Sequence, residues 1–272
     1  MRVWHQSFTV LEDVPVYHAA LKRHLESRAL PGTEVTFHGM EPGTYPSSYP
    51  GTHIGYNYIA SLHREQFVAA ALEAQELGYD AFLIASIPDT GFEEIRSLVD
   101  MPVIGFGNTS IAFAATLAAR VAIVNFIDAL RDQLQRNIVN YGFGTIVGPI
   151  LSIGREFGDL MAAYDNPAPV IDAFVHTARQ AIAEGARVIV PGEGPLNVFL
   201  ADQGLSRVDD VPVIDSLWTG LAMCEMRGRM YRTSNLFPAR QGFYYAQPPI
   251  DVMGAARERY FGIPGSGRAG GD

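Results

Sequence analysis

Residues 77–91 read LGYDAFLIASIPDTG, and residues 184–198 read EGARVIVPGEGPLNV. Shifted by 107 residues, Gly78 falls on Gly185, Phe82 on Ile189, Ala85 on Gly192 and Pro88 on Pro195. Each stretch has a glycine that stops a helix, a short apolar run and then a turn rich in glycine and proline. That order describes a buried parallel strand entered from a helix. Each stretch is followed by a second matching piece, VDMPVIGF at 99–106 and VDDVPVID at 208–215. This match needs a shift of 110, so one connection is three residues longer. The chain therefore reads as two similar halves, each built on a short parallel sheet.

The rest of the chain extends this pattern. Short apolar runs at Arg2–His5, Glu34–His38, Ala81–Ala85, Val103–Phe106, Arg120–Val124, Thr145–Val147, Val188–Val190 and Val211–Ile214 predict strands. Between them, Tyr17–Ser27, Ile59–Leu77, Thr109–Ala118, Ala129–Val139, Pro169–Glu184 and Ser216–Arg229 carry helical periodicity. Such alternation predicts an α/β fold with sheets covered on both faces. The expected architecture is two flavodoxin-like parallel-sheet halves related by a pseudo-twofold, with a cleft between them. Residues 1–115 with about 215–262 would form the first half and 116–214 the second. The polar tail, 263–272, is expected to be disordered.

Bulk composition excludes several classes. The formal net charge is −9 and no Lys/Arg block is present, which argues against nucleic-acid partners and against an anionic membrane surface. The apolar stretch near 111–127 is broken by Arg120 and Asn125, so it does not read as a membrane span. With no signal-peptide pattern at the N-terminus, a cytoplasmic location is expected. A single cysteine, Cys224, allows neither an intramolecular disulfide nor a cysteine-based zinc site.

The repeat places Ser86 opposite Glu193, each just beyond the C-terminal end of a central strand. Ligands of open parallel sheets bind at that edge. The two residues should flank one cleft.

These stretches resemble the Asp/Glu/hydantoin racemase superfamily, whose members include amino-acid, hydantoin and allantoin racemases, maleate isomerase and arylmalonate decarboxylase. The resemblance runs from MRVWHQSFT to about Tyr260 and is carried by YDAFLIASIPDTGFEEIRSLVDMPVIGFGNTS (79–110) and GARVIVPGEGPL (185–196). In the first, the hydantoin racemases have a cysteine before an Asp-Pro-Gly-like turn; in the second they have their other catalytic cysteine. One thiolate removes the α-proton and the other thiol delivers a proton to the opposite face. Here the matching positions hold Ser86 and Glu193, and Cys224, in LAMCEM, lies away from both. A two-thiol racemase is thus excluded by composition. The resemblance implies a cofactor-independent isomerase or racemase-like enzyme acting on a small molecule, without metal, as a homo-oligomer.

Candidate residues follow. Glu193 is expected to be a general acid or base, because a carboxyl in a dry cleft titrates nearer neutrality; the competing reading is a cap on the following helix. Ser86 is expected to donate to a developing oxyanion, or to cap a turn. Asp89 and Thr90 either orient Ser86 and bind substrate or simply form the turn. Asn108, Thr109 and Ser110 open a helix whose N–H groups could take a carboxylate or imide oxygen. His5 and Ser7 end the first strand, His5 as an acid or base or as a structural histidine. His53 and Tyr56 belong to a Tyr-, Pro- and Gly-rich loop, 45–58, expected to cover the cleft. Gly192 would let the backbone approach the ligand, and Asn197 would orient Glu193. A metal held by His5, His53 and Glu193 has no supporting spacing. The expected substrate is a small carboxylate or a hydantoin-like cyclic amide. A hydrolase or C–C lyase using Glu193 and a non-catalytic binder remain alternatives.

Overall fold

The computed structural model describes residues 1–262. In the first half, β1 (Arg2–Ser7), β2 (Glu34–His38), β3 (Ala81–Ala85) and β4 (Val103–Gly105) form a parallel sheet in the order β2-β1-β3-β4. Helices α1 (Pro15–Arg28), the short α2 (Gly51–Ile54), α3 (Asn57–Glu76), α4 (Phe92–Leu98) and α5 (Phe106–Leu117) connect or follow these strands. In the second half, β5 (Val121–Asn125), α6 (Arg131–Asn140), β6 (Val147–Ser152), α7 (Phe157–Ala162), α8 (Ala168–Ala183), β7 (Val188–Pro191) and α9 (Gly194–Asp202) build a parallel sheet in the order β6-β5-β7. Beyond β7, Val213 pairs in parallel with Ile189. The two sheets thus share one strand order, and the pieces matched in sequence sit in matching places: β4 beside β3, and Val213 beside β7.

Every residue of β3, β5 and β7 is buried, as strands covered on both faces require. One hydrophobic cluster contains both Leu83 of β3 and Val190 of β7, so the core continues from one half into the other. Helix α10 (Ser216–Ser234) packs on β3 and α5, while α1 packs on α9.

Two expectations are corrected. The run Val211–Ile214 is not a full strand. A hairpin of β8 (Arg207–Val208) and β9 (Val211–Pro212) forms instead, leaving Val213 a single parallel bridge; Pro212 has no N–H to extend a ladder. The strand expected at Thr145–Val147 starts at Val147 and continues to Ser152. It contains Pro149, which is tolerated because β6 is an edge strand. A final helix, α11 (Ile250–Phe261), has no buried residue and is tied to α3 by Arg257 Nε donating to Glu65 Oε1 at 2.9 Å. The tail expected at 263–272 lies outside the described residues. Among the described residues, no helix is long and apolar enough to cross a membrane.

Candidate active site

The strand ends converge on a cleft of about 240 Å³. Ser7 to Thr9 after β1 and Ala85 to Glu94 after β3 line it from the first half. Phe126 and Ile127 after β5 and Glu193 to Pro195 after β7 line it from the second. From the loop 45–58, Tyr49 reaches across and stacks on Phe157 with centroids 5.3 Å apart. An aromatic contact between the halves therefore borders the cleft.

Glu193 sits where β7 ends. A Cβ on Gly192 would lie 2.6 Å from Asn125 Cβ, so only glycine lets this backbone pass β5. Glu193 is the residue preceding α9, yet its side chain makes no capping bond there. It turns to β5 instead, accepting the N–H of Phe126 (3.1 Å, Oε2) and of Ile127 (3.1 Å, Oε1). Burial pushes its carboxyl up to about 8, against the opposing pull of those two N–H donors. At neutral pH it is mostly a neutral acid. The capping alternative is therefore set aside.

Across the cleft, Ser86 Oγ lies 3.1 Å from Thr90 Oγ1 and accepts the Thr90 N–H at 3.4 Å. Asp89 lies in the same turn with φ at +53°, a left-handed conformation that few non-glycine residues adopt. Its Oδ1 accepts the Gly107 N–H and its Oδ2 the Asn108 N–H, both at 2.7 Å. The Tyr141 hydroxyl is a further partner. Burial drives the Asp89 carboxyl up to about 7, and the hydrogen bonds resist the rise. Asn137 Nδ2 donates to the Pro88 carbonyl at 2.8 Å, pinning the turn from the second half.

Other expected residues are placed differently. Helix α5 begins at Phe106, earlier than expected, and its first free N–H groups already hold the Asp89 carboxylate. Asn108, Thr109 and Ser110 do not line the cleft, so the anion site expected there is replaced by an internal cap. His5 is fully buried beside Phe37, with ring centroids 5.4 Å apart. Its pKa falls to about 3, chiefly by burial, and it does not line the cleft. The reason is depth: His5 lies inside β1, paired with Phe37 of β2, two residues short of the strand end at Ser7. Ser7, two residues on, does reach the cleft and contacts Thr9 Oγ1 at 2.7 Å. His53 Nδ1 lies 3.1 Å from His63 Nε2, and Tyr56 is exposed; neither lines the cleft. Asn197 Oδ1 accepts the Leu217 N–H at 2.9 Å, capping α10 rather than orienting Glu193. Cys224 is buried in α10, and burial raises its thiol pKa. Among the described residues, no three His, Cys, Asp or Glu side chains are grouped to hold a metal, so His5, His53 and Glu193 are not such a set.

Tyr49 lines the cleft from the loop expected to cover it, while Tyr17, Asn137 and Tyr141 line it without having been expected there. Tyr17 lies on α1 and its hydroxyl meets Ser7; a lone aromatic on an amphipathic helix reads as core, so no local signal marked it.

Comparison with known proteins agrees with this architecture. A family profile described as Asp/Glu/Hydantoin racemase matches residues 15–224. A hydantoin racemase from Pseudomonas sp. (strain NS671) is 29% identical over 226 residues, which span 83% of this chain and 84% of that protein. Among solved structures, an allantoin racemase from Klebsiella pneumoniae aligns with a TM-score of 0.73 at 24% identity, covering 91% of this chain and 94% of that one. An allantoin racemase from Pseudomonas fluorescens also has a TM-score of 0.73, at 20% identity, covering 91% and 97%. These structural likenesses establish the fold, and with the profile spanning most of the sequence, the chain belongs to the Asp/Glu/hydantoin racemase family.

Proposed function

We propose that this protein is a cofactor-independent racemase-type enzyme that moves a proton at the acidic carbon of a hydantoin-like cyclic amide, with Glu193 as the proton carrier. The observation that supports this most directly is the Glu193 carboxyl: buried, facing the cleft, held by two backbone N–H groups, and titrating near 8. A group titrating near working pH is matched to general acid–base catalysis. In its ionised form Glu193 takes the ring α-proton. The electron pair of the broken C–H bond passes into the adjacent carbonyl, and the Ser86 hydroxyl, which lines the cleft, donates to the oxygen that becomes negative. Ser86 and Glu193 take the places that the family resemblance assigns to cysteines.

The charges around the cleft favour the cyclic amide over a carboxylate substrate. Glu93, Glu94 and the ionised share of Asp89 line it with negative charge, and the cation lining it, Arg64, is paired with Glu94 at 2.8 Å. A dianionic substrate would enter a field of its own sign; a neutral ring avoids this.

Proton NMR in D2O tests the reading, using separate incubations with hydantoins, α-amino acids, dicarboxylates and arylmalonates. Deuterium is expected at the α-carbon of a hydantoin, with exchange of the enantiomer whose α-proton faces Glu193 reduced by roughly 10²–10⁴ in Glu193→Gln. Equal exchange by both proteins would remove Glu193 from the proton path. Reaction confined to carboxylates would overturn the cyclic-amide assignment, and ring-opened or decarboxylated products would replace it with hydrolysis or C–C cleavage.

A further inference from the structure

We infer that Asp89 is a second proton-transferring group of this cleft, acting on the face of the substrate carbon opposite Glu193. The inference rests on the carbon-acid reading of Glu193 and extends it to inversion of configuration.

Inverting a carbon requires proton removal on one face and delivery on the other. Ser86, across from Glu193, has hydroxyl and amide partners from Thr90, and neither can take its proton. The carboxyls lining the cleft from the first half are Asp89, Glu93 and Glu94. Glu93 and Glu94 are exposed on the first turn of α4, and Glu94 is paired with Arg64. Of the three, Asp89 is buried.

Its anchoring also matches that of Glu193. Each carboxyl stands at the C-terminal edge of a central strand and accepts two consecutive backbone N–H groups: Gly107 and Asn108 for Asp89, Phe126 and Ile127 for Glu193. A carboxylate so held keeps free lone pairs for a proton. The first-half anchor is costly to build. Asp89 adopts φ +53°, and a Cβ on Gly105 or Gly107 would lie 2.6 or 3.1 Å from its oxygens. Burial also carries Asp89 and Glu193 to about 7 and about 8, so a one-proton pair is well populated near neutrality.

The step balances with one carboxylate and one carboxylic acid. The carboxylate takes the α-proton, forming O–H as C–H breaks, and the electron pair moves into the ring carbonyl as an enolate. The enolate carbon then takes the proton of the other carboxyl from the opposite face. The ionised and protonated groups have exchanged roles, and the reverse reaction or solvent exchange resets them.

The test follows each enantiomer of a 5-substituted hydantoin separately in D2O with the full chain. In the unmodified protein, the first-turnover product of inverted configuration should carry deuterium. Asp89→Asn should keep α-proton washout from one enantiomer within a few-fold and lose it from the other by roughly 100-fold or more. Glu193→Gln should show the opposite selectivity, and both should abolish racemisation. The retained half-reaction in Asp89→Asn reports a folded protein and a working Glu193, so failure of the Glu193 reading is seen separately, as unaltered exchange in Glu193→Gln. Asp89→Asn exchanging both enantiomers normally, or exchanging neither while folded, overturns the role of Asp89. Should that variant not fold, the unmodified protein decides: substrate protium carried into first-turnover product means a single base and overturns the proposal.

Discussion

The turns after β3 and β7 occupy the same place in the two halves, yet they carry different chemistry. After β7, Gly192 slips past β5 and the very next residue is the buried carboxyl. After β3, the equivalent position is Ser86, and the buried carboxyl comes three residues later, on a left-handed Asp89. Both carboxyls nevertheless end on a pair of backbone N–H groups from a neighbouring element. The repeat therefore preserves strand order and anchoring geometry while the residue that supplies the group moves along the turn. An internal repeat is evidence about backbone, and the function of a matched pair must be argued from each site.

The largest test of this comparison is the pair Glu193→Gln and Ser86→Ala. The first should cost about 10²–10⁴ in racemisation and remove the limb of its pH–rate profile near 8. The second should cost about 10²–10³, as the loss of one oxyanion donor does, with the profile unmoved. A profile shifted by Ser86→Ala would break the distinction between the two turns.

Stability against pH sharpens it next. Glu193 titrates near 8 in the folded protein and near 4.5 in an unfolded chain. Between those values the folded state holds a proton that the unfolded state has released, so this contribution is complete below 4.5 and is lost as pH rises to about 8. At roughly 1.4 kcal/mol per unit the loss amounts to a few kcal/mol. Thermal melts of Glu193→Gln should match the parent in acid and exceed it by several degrees at alkaline pH. Asp89 adds a similar decline between 3.8 and about 7.

The glycines come third. Gly105→Ala would press a methyl against the Asp89 carboxylate, and Gly192→Ala against Asn125. Each should destabilise by about 1–3 kcal/mol in chemical denaturation. Gly105→Ala alone should alter the lower limb of the pH–rate profile, because it displaces Asp89. Smallest is Tyr141→Phe. Its hydroxyl holds the Asp89 carboxyl down, so its loss should move that limb upward and slow exchange by about tenfold or less. An unmoved limb would show that Asp89 does not set it.

The parallel α/β class and the two halves were legible because apolar runs, helix stops and the matched pieces recur at nearly constant spacing. The place of Glu193 at the cleft was legible because it directly follows a buried strand, at the sheet edge; that it does not cap α9 was not. His5 was misleading: it does end an apolar run, but β1 continues to Ser7, so His5 stays inside the sheet beside Phe37, away from the cleft. The segment Asn108–Ser110 misled for another reason, since a free helix terminus in sequence was one already filled by Asp89 in space.

The sequence by itself determined the α/β class, the repeated halves, the absence of a thiol pair and the edge of the sheets at which chemistry would sit. These depend on local periodicity, spacing and composition. Only the tertiary structure decided which side chains face one another: Tyr49 against Phe157, Asn137 on the Pro88 carbonyl, Tyr141 on Asp89, and the N–H pairs that hold the two carboxyls. The partners in these contacts are remote in the chain, and burial by both halves together sets the protonation of the groups between them.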